Sequence, residues 1–167
     1  MDIQTPQAAG SQTEAPLLRD ALEGFRWNGV VHAPYKEDAY KEDGAAPFKA
    51  ISRQTLFKEA ALGCELRYFE MDAGGYSTLE RHAHVHAVII LRGHGQCLLG
   101  DAVRMVKPHD LITIPAWAWH QFRATDNEPL GFLCMVNHDR DRPQLPSGPE
   151  RAAMAANPEV AAFFAGG

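Results

Sequence analysis

Residues 74–95, GGYSTLERHAHVHAVIILRGHG, hold four of the protein's eight histidines: His82, His84, His86 and His94. Glu80, His82, His84 and His86 alternate with other residues. A strand sends alternate side chains to one face, so a strand here predicts one face bearing a carboxylate and three imidazoles. Four adjacent ionisable groups are costly to bury unless they bind something. Imidazoles and a carboxylate pointing one way suit a divalent transition metal.

Outward from this stretch the spacing is that of short strands. It predicts strands at 50–57, 63–71, 77–82, 85–92, 95–99, 102–106, 110–114, 118–125 and 130–137. Turn residues separate them: Gly74-Gly75, the pair Gly93 and Gly95 around His94, and Gly100-Asp101, which reads as a two-residue hairpin. Pro108 and Pro115 bracket the apolar run LITI. Short strands without interleaved long helices predict an all-β barrel or jelly roll.

The ends read differently. Residues 1–15 are small and polar and predict a disordered segment. PLLRDALE (16–23) predicts a short helix stopped by Gly24. Residues 25–50 carry Trp27, Tyr35, Tyr40 and Phe48 and predict an extended aromatic arm, packed on its own domain or on a second subunit. The tail beyond Asn137 is proline-rich, with room for one or two short helices and for Phe163 and Phe164 to dock on the barrel. The expected division is therefore 1–49 for the arm, 50–138 for the barrel and 139–167 for the tail.

At 167 residues one domain with a real core is expected. A net charge of -5 argues against a nucleic-acid partner. No apolar run approaches membrane-spanning length. The N-terminal residues show neither the basic start nor the apolar core of a secretory signal. Cys64, Cys97 and Cys134 are an odd, scattered set, which implies free thiols, a reducing compartment and a cytoplasmic location.

Two motifs make the chain resemble the cupins. The first cupin motif, G-x5-H-x-H-x3-E-x6-G, falls on Gly74, Glu80, His82, His86 and Gly93, with every spacing kept and the end ligands exchanged in type. The second, G-x5-P-x-G-x2-H-x3-N, falls on residues 109–124 with Pro115 and His120 in place. His109 and Trp117 replace its glycines and Ala124 its Asn. The resemblance implies a cupin jelly-roll (double-stranded β-helix) barrel with an N-terminal extended arm and short C-terminal helices. By position it implies Glu80, His82, His86 and His120 as metal ligands, with His84 a supporting or exchange ligand. A three-histidine site with Glu80 just outside is the competing set. Nitrogen and oxygen ligands without thiolate favour Mn, Fe, Co, Ni or Zn, and the resemblance implies Mn(II).

Within the cupins, the runs LRYFEMDAGGYSTLERHAHVHAVIILRGHG, PAWAWHQF and PLGFLCMVNHDRDRPQLP resemble the small manganese methylsulfurylases of methionine salvage. The arm segment FRWNGVVHAPYK is similar to the same group. That resemblance implies removal of a methylthio group from 1-methylthio-xylulose 5-phosphate, a low-molecular-weight thiol such as glutathione as acceptor, and a homodimer. Alternation in QCLLG puts Cys97 and Leu99 on one face, and the resemblance implies that this face lines the barrel, with Cys97 a packing residue or the nucleophile. Arg67 is the candidate for holding the substrate phosphate, chosen from several arginines of unassigned facing. Trp117 and Trp119 are expected to wall the mouth or to pack under the arm. Other metal cupin enzymes (a dioxygenase or a sugar isomerase) and a non-catalytic binding domain are the alternatives.

Overall fold

A computed structural model describes residues 18–35 and 48–166. The expected disordered segment (1–15) and Tyr40 of the arm lie outside the described residues. Eleven strands occur among those described: β1 (Ala21–Leu22), β2 (Arg26–Trp27), β3 (His32–Pro34), β4 (Lys49–Glu59), β5 (Cys64–Tyr76), β6 (His86–Arg92), β7 (Gly95–Leu99), β8 (Ala102–Val106), β9 (Leu111–Ile114), β10 (His120–Ala124) and β11 (Leu130–Asn137). Two helices follow, α1 (Gly148–Met154) and α2 (Pro158–Ala165).

β3 to β11 form one curled antiparallel sheet in which β8-β7-β10-β5-β11-β6-β9 lie side by side and β4 joins β5 to β3. This is the jelly-roll barrel implied by the motifs. The closing turns are the expected ones: Gly100-Asp101 joins β7 to β8, with Gly100 at φ 65°. Gly93 sits at φ 72° where an added Cβ would lie 1.8 Å from the Pro129 carbonyl oxygen, so only glycine fits. At His109 and Trp117, where the motif has glycine, the backbone keeps glycine's conformation with φ 75° and 63°.

Three expectations are corrected. The described part of the expected helix at 16–23 is instead the hairpin β1–β2. A lone short segment does not nucleate a helix well, and the turn lets Phe25 and Trp27 pack on Tyr68, at ring separations of 5.8 and 5.3 Å. Gly74-Gly75 does not break the chain either: β5 runs through it to Tyr76, with an irregular register against β4. Lastly, residues 77–82 do not form a strand. Glu80 and Arg81 make single bridges to His120 and Gln144, and the chain then bends before β6 starts at His86.

The inner faces of the strands divide by height. Toward one end Met71, Phe69, Ile90, Val88, Phe122, Phe132 and Leu130 form the apolar core. Toward the other end the same faces carry Glu65, Arg67, His86 and His120. The outer surface carries a second apolar cluster, Leu79, Leu98, Val160 and Phe163, which docks α2 on the barrel. Trp119 packs against this cluster with Arg81 4.4 Å over its ring, so it lies under the tail rather than the arm.

Candidate metal centre

His82, His86 and His120 converge at the polar end of the barrel. One ring nitrogen from each lies within 4.8 Å of the other two. They arrive from three different places: His120 from the start of β10, His86 from the start of β6, and His82 from the bend that precedes β6. The bend aligns the rings although it is not a strand. Asp141 fixes it by accepting the backbone N–H groups of Ala83 (2.8 Å) and His84 (3.1 Å), and the His84 Nδ1 at 2.6 Å. These donors hold the Asp141 carboxyl well below its ordinary pKa, the Ala83 N–H contributing most. His84 stacks flat on His82, with centroids 3.5 Å apart and planes within 4°. It also groups with His82 and Asp141 as a second set of metal-competent side chains.

Each ring of the three-histidine set has its Nδ1 engaged. His82 donates to the His84 carbonyl (2.8 Å) and His120 to the Ala118 carbonyl (2.9 Å). The Nδ1 of His86 meets the Cys134 Sγ at 3.2 Å. Pinning Nδ1 fixes the tautomer and leaves Nε2 for a ligand. His86 Nε2 is buried without a hydrogen-bond partner. Burial, followed by the neighbouring imidazoles, pushes His82 down to about 4 and His86 down to about 2. Both rings are therefore neutral near pH 7, with lone pairs available. Converging neutral imidazoles with oriented tautomers fit a divalent transition metal.

Glu80 is not among the side chains of this cluster. It pairs with His120 through two backbone hydrogen bonds (3.1 and 3.0 Å), which puts both side chains on one face, and it is only 8% exposed. Its charge reaches both His82 and Cys134.

The two buried thiols differ. Cys97 faces the interior opposite Phe122, one inward-facing step below His120, among apolar side chains. Among the described residues, its Sγ meets only the Leu98 carbonyl, at 3.6 Å. Burial pushes both Cys97 and Cys134 up to about 12. Cys134, which reads from sequence as plain strand packing, is the thiol that touches a site histidine. The signal lies in register: β11 pairs β6 so that Cys134 stands opposite Val88, beside His86. Asp141 had no signal at all, since nothing in HDRDRP marks one carboxylate as the partner of a bend 57 residues away.

Arg67 stands opposite Cys134 on the same inner face, and its guanidinium is held by the buried carboxylate of Glu65. Trp117 lies at the mouth, half exposed, with its backbone N–H donated to the His82 carbonyl at 2.7 Å.

The Cupin domain family matches residues 67–136. The chain is 54% identical over 142 residues to a Rhodospirillum rubrum protein named 1-methylthio-D-xylulose 5-phosphate methylsulfurylase, covering 85% of this chain and 88% of that one. It is 35% identical over 149 residues to a 5-nitrosalicylic acid 1,2-dioxygenase of Bradyrhizobium, covering 70% and 71%. Among solved structures, a cupin 2 conserved barrel domain protein from Rhodopseudomonas palustris superposes with a TM-score of 0.80 at 53% identity, over 88% of this chain and 98% of that one. Likeness of this extent, running through the strands that carry the histidines, makes the chain a member of the cupin family.

Proposed function

We propose that this cupin is a metal-dependent enzyme that removes the methylthio group from 1-methylthio-xylulose 5-phosphate and passes it to a thiol, giving 1-deoxy-xylulose 5-phosphate. The observation that carries this reading is the 54% identity to a relative of that printed name. A match of that length includes the span from Glu80 to Asp141. The geometry supports it, because a sulfur-transfer enzyme needs a thiol beside a group that stabilises an enolate, and the mouth of this barrel holds both kinds of residue.

His82, His86 and His120 would hold the ion, with Glu80 as a further carboxylate ligand or as a proton donor beside it. A bound divalent cation, Mn(II) in this reading, supplies polarisation of the substrate's C2 carbonyl and a positive field that favours thiolate. Cys97 attacks the substrate sulfur. The bond from C1 to sulfur breaks, its electron pair leaves as the enolate, and a mixed methyl disulfide forms on the cysteine. Glu80 or His84 returns a proton to C1, which completes the methyl ketone. Glutathione attacks the mixed disulfide, restores the cysteine and carries off the methylthio group; a second glutathione then releases methanethiol. The carbon is reduced by two electrons and the thiols are oxidised by two. The product would feed isoprenoid supply from methionine salvage, in the cytoplasm and from a homodimer.

The contact between Cys134 and His86 favours a variant of this scheme in which Cys134 is the nucleophile. Cys97→Ser and Cys134→Ser separate the two: the nucleophile's variant binds metal and forms no methyl disulfide adduct in mass spectrometry. The test of the reading itself is metal analysis of the purified chain together with glutathione-dependent methanethiol release. No bound metal, or no methanethiol, overturns it.

A dioxygenase is the second reading, favoured by the likeness to the Bradyrhizobium protein and by a cluster made of histidines alone. Oxygen consumption that persists in both cysteine variants would establish it.

A further inference from the structure

The barrel mouth carries a concentration of positive charge that the three histidines do not explain. Glu65, 5% exposed, receives Lys58 at 3.2 Å, Arg140 at 3.1 Å and the Nε of Arg67 at 2.8 Å, with His138 at 3.4 Å. Arg53 stands nearby: its strand partner is Phe69 of the inner face, and Arg67, Glu65 and Arg140 are its charged neighbours. Four permanent cations, Lys58, Arg53, Arg67 and Arg140, therefore face one carboxylate, in a protein whose net charge is -5.

The Arg53 guanidinium makes no hydrogen bond or ion pair to any described residue. Burial, then the guanidinium of Arg67, pulls its pKa below the ordinary arginine value. A half-buried guanidinium set against two others is destabilising unless the site is used for something. Glu65 is already shared among several donors and offers Arg53 little. What the cluster does offer is planar N–H donors turned into the barrel, the geometry that phosphate oxygens accept.

Position agrees. The register sets Glu65, Val136 and His86 side by side on β5, β11 and β6, and Arg67, Cys134 and Val88 on the next inward step. Two strand spacings, about 10 Å, separate the basic strand from the histidine strand. Consecutive residues tie the two together: Arg140 reaches Glu65 while Asp141 holds the bend that carries His82 and His84.

We propose that Arg53, Arg67 and Arg140 form an anion subsite that docks the phosphate monoester end of the substrate, with Glu65 holding the Arg67 and Arg140 guanidiniums in place. This rests on the phosphorylated-substrate reading above and adds Arg53 and Arg140 to it.

The test is binding of inorganic phosphate to the full chain, by calorimetry and by the shift in thermal midpoint, against chloride at equal ionic strength. Phosphate is expected to bind the native chain and raise its midpoint. Arg53→Gln and Arg140→Gln are each expected to weaken phosphate binding about tenfold or more. Arg104→Gln, at an exposed position on β8, is expected to leave it unchanged. If loss of the Arg140 contacts unfolds its variant, Arg53→Gln breaks no ion pair and carries the test. Absence of phosphate binding, native-like binding by Arg53→Gln, or equal weakening by Arg104→Gln overturns the subsite. Methanethiol release is read in parallel. Release with no phosphate binding discards the subsite and keeps the function; phosphate binding with no release does the reverse.

Discussion

The two ends of the same barrel are built on opposite principles. Toward the closed end β5, β6, β10 and β11 present Phe69, Met71, Val88, Ile90, Phe122, Phe132 and Leu130, all 7% exposed or less. One or two inward-facing steps toward the mouth, those strands present Glu65, Arg67, His86, His120 and Cys134. The first group lowers the free energy of the fold simply by leaving water. The second is buried at a cost, and only bound ligands or tight hydrogen bonds offset that cost. A barrel of this kind can hold an expensive site because the strands are already secured below it. The largest functional losses are therefore expected from changes at the mouth, and the clean stability losses from changes at the closed end.

His120→Ala is expected to be the most damaging to activity. It removes one of the three converging imidazoles that would hold the ion, and Lewis-acid polarisation of a carbonyl is generally worth several kcal/mol, so a loss of about 10^3-fold in kcat/KM is expected. Metal content and turnover should fall together while far-ultraviolet circular dichroism is unchanged. A variant that loses its fold instead would break the division between the two ends.

Below it, Ile90→Ala is expected to cost about 3 kcal/mol of stability, since a fully buried side chain leaves a cavity. Its folded fraction should still bind metal. Glu65→Gln should cost a similar amount, about 3 kcal/mol, but at the mouth and for an electrostatic reason: it leaves buried guanidiniums uncompensated. The two differ in pH dependence. The Glu65 carboxyl is pushed down to about 2 from an ordinary 4.5, chiefly by Arg67 against the opposing effect of burial. A depressed pKa contributes stability that is fully present above 4.5 and is lost as pH falls toward 2. The native chain should lose stability across that window. Glu65→Gln should show a flatter profile there, and Ile90→Ala the native one.

Much of this division was legible in the sequence. Alternation and the Gly and Pro breaks revealed the strands, because period two and turn chemistry are local. Counting the two motif spacings also brought His82, His86 and His120 together, although the strand assumed to align them is a bend. The spacing survives because it encodes the path between strands rather than the conformation along it. What was illegible depends on register and on distant side chains. The contact of Cys134 with His86 needs the pairing of β11 with β6. The approach of Arg53 to Arg67 needs the β4–β5 pairing with its irregular steps. The hairpin at 21–27 was misread as a helix because Tyr68, which its aromatics cover, lies some forty residues on.

Cys134→Ala sharpens the comparison within the mouth. His82 and His120 are oriented by backbone carbonyls, which no substitution removes, whereas His86 relies on a thiol. Removing an orienting partner typically costs 10- to 100-fold in metal affinity. About tenfold is expected here, because sulfur is a weak acceptor. Measured metal affinity equal to native would show that packing alone orients His86.

The smallest effects are expected where each end of the barrel keeps a glycine conformation without glycine. His109 sits at the closed end, its N–H donated to the Ile90 carbonyl, and Trp117 at the mouth, its N–H donated to the His82 carbonyl. A non-glycine residue at positive φ stores about 1 kcal/mol or more of strain. Glycine relieves that strain but adds back about 0.5–1 kcal/mol of unfolded-state entropy. His109→Gly loses little packing and should gain a few tenths of a kcal/mol in thermal or denaturant unfolding, with no change in methanethiol release. Trp117→Gly also forfeits the buried half of an indole, which cancels the relief, so its stability should be near native. Its turnover should drop, because the bulk removed is at the site entrance, while the backbone N–H to the His82 carbonyl is kept. Equal turnover in the two variants would mean that the mouth tolerates a missing wall, and the contrast between the two ends would then rest on the buried charges alone.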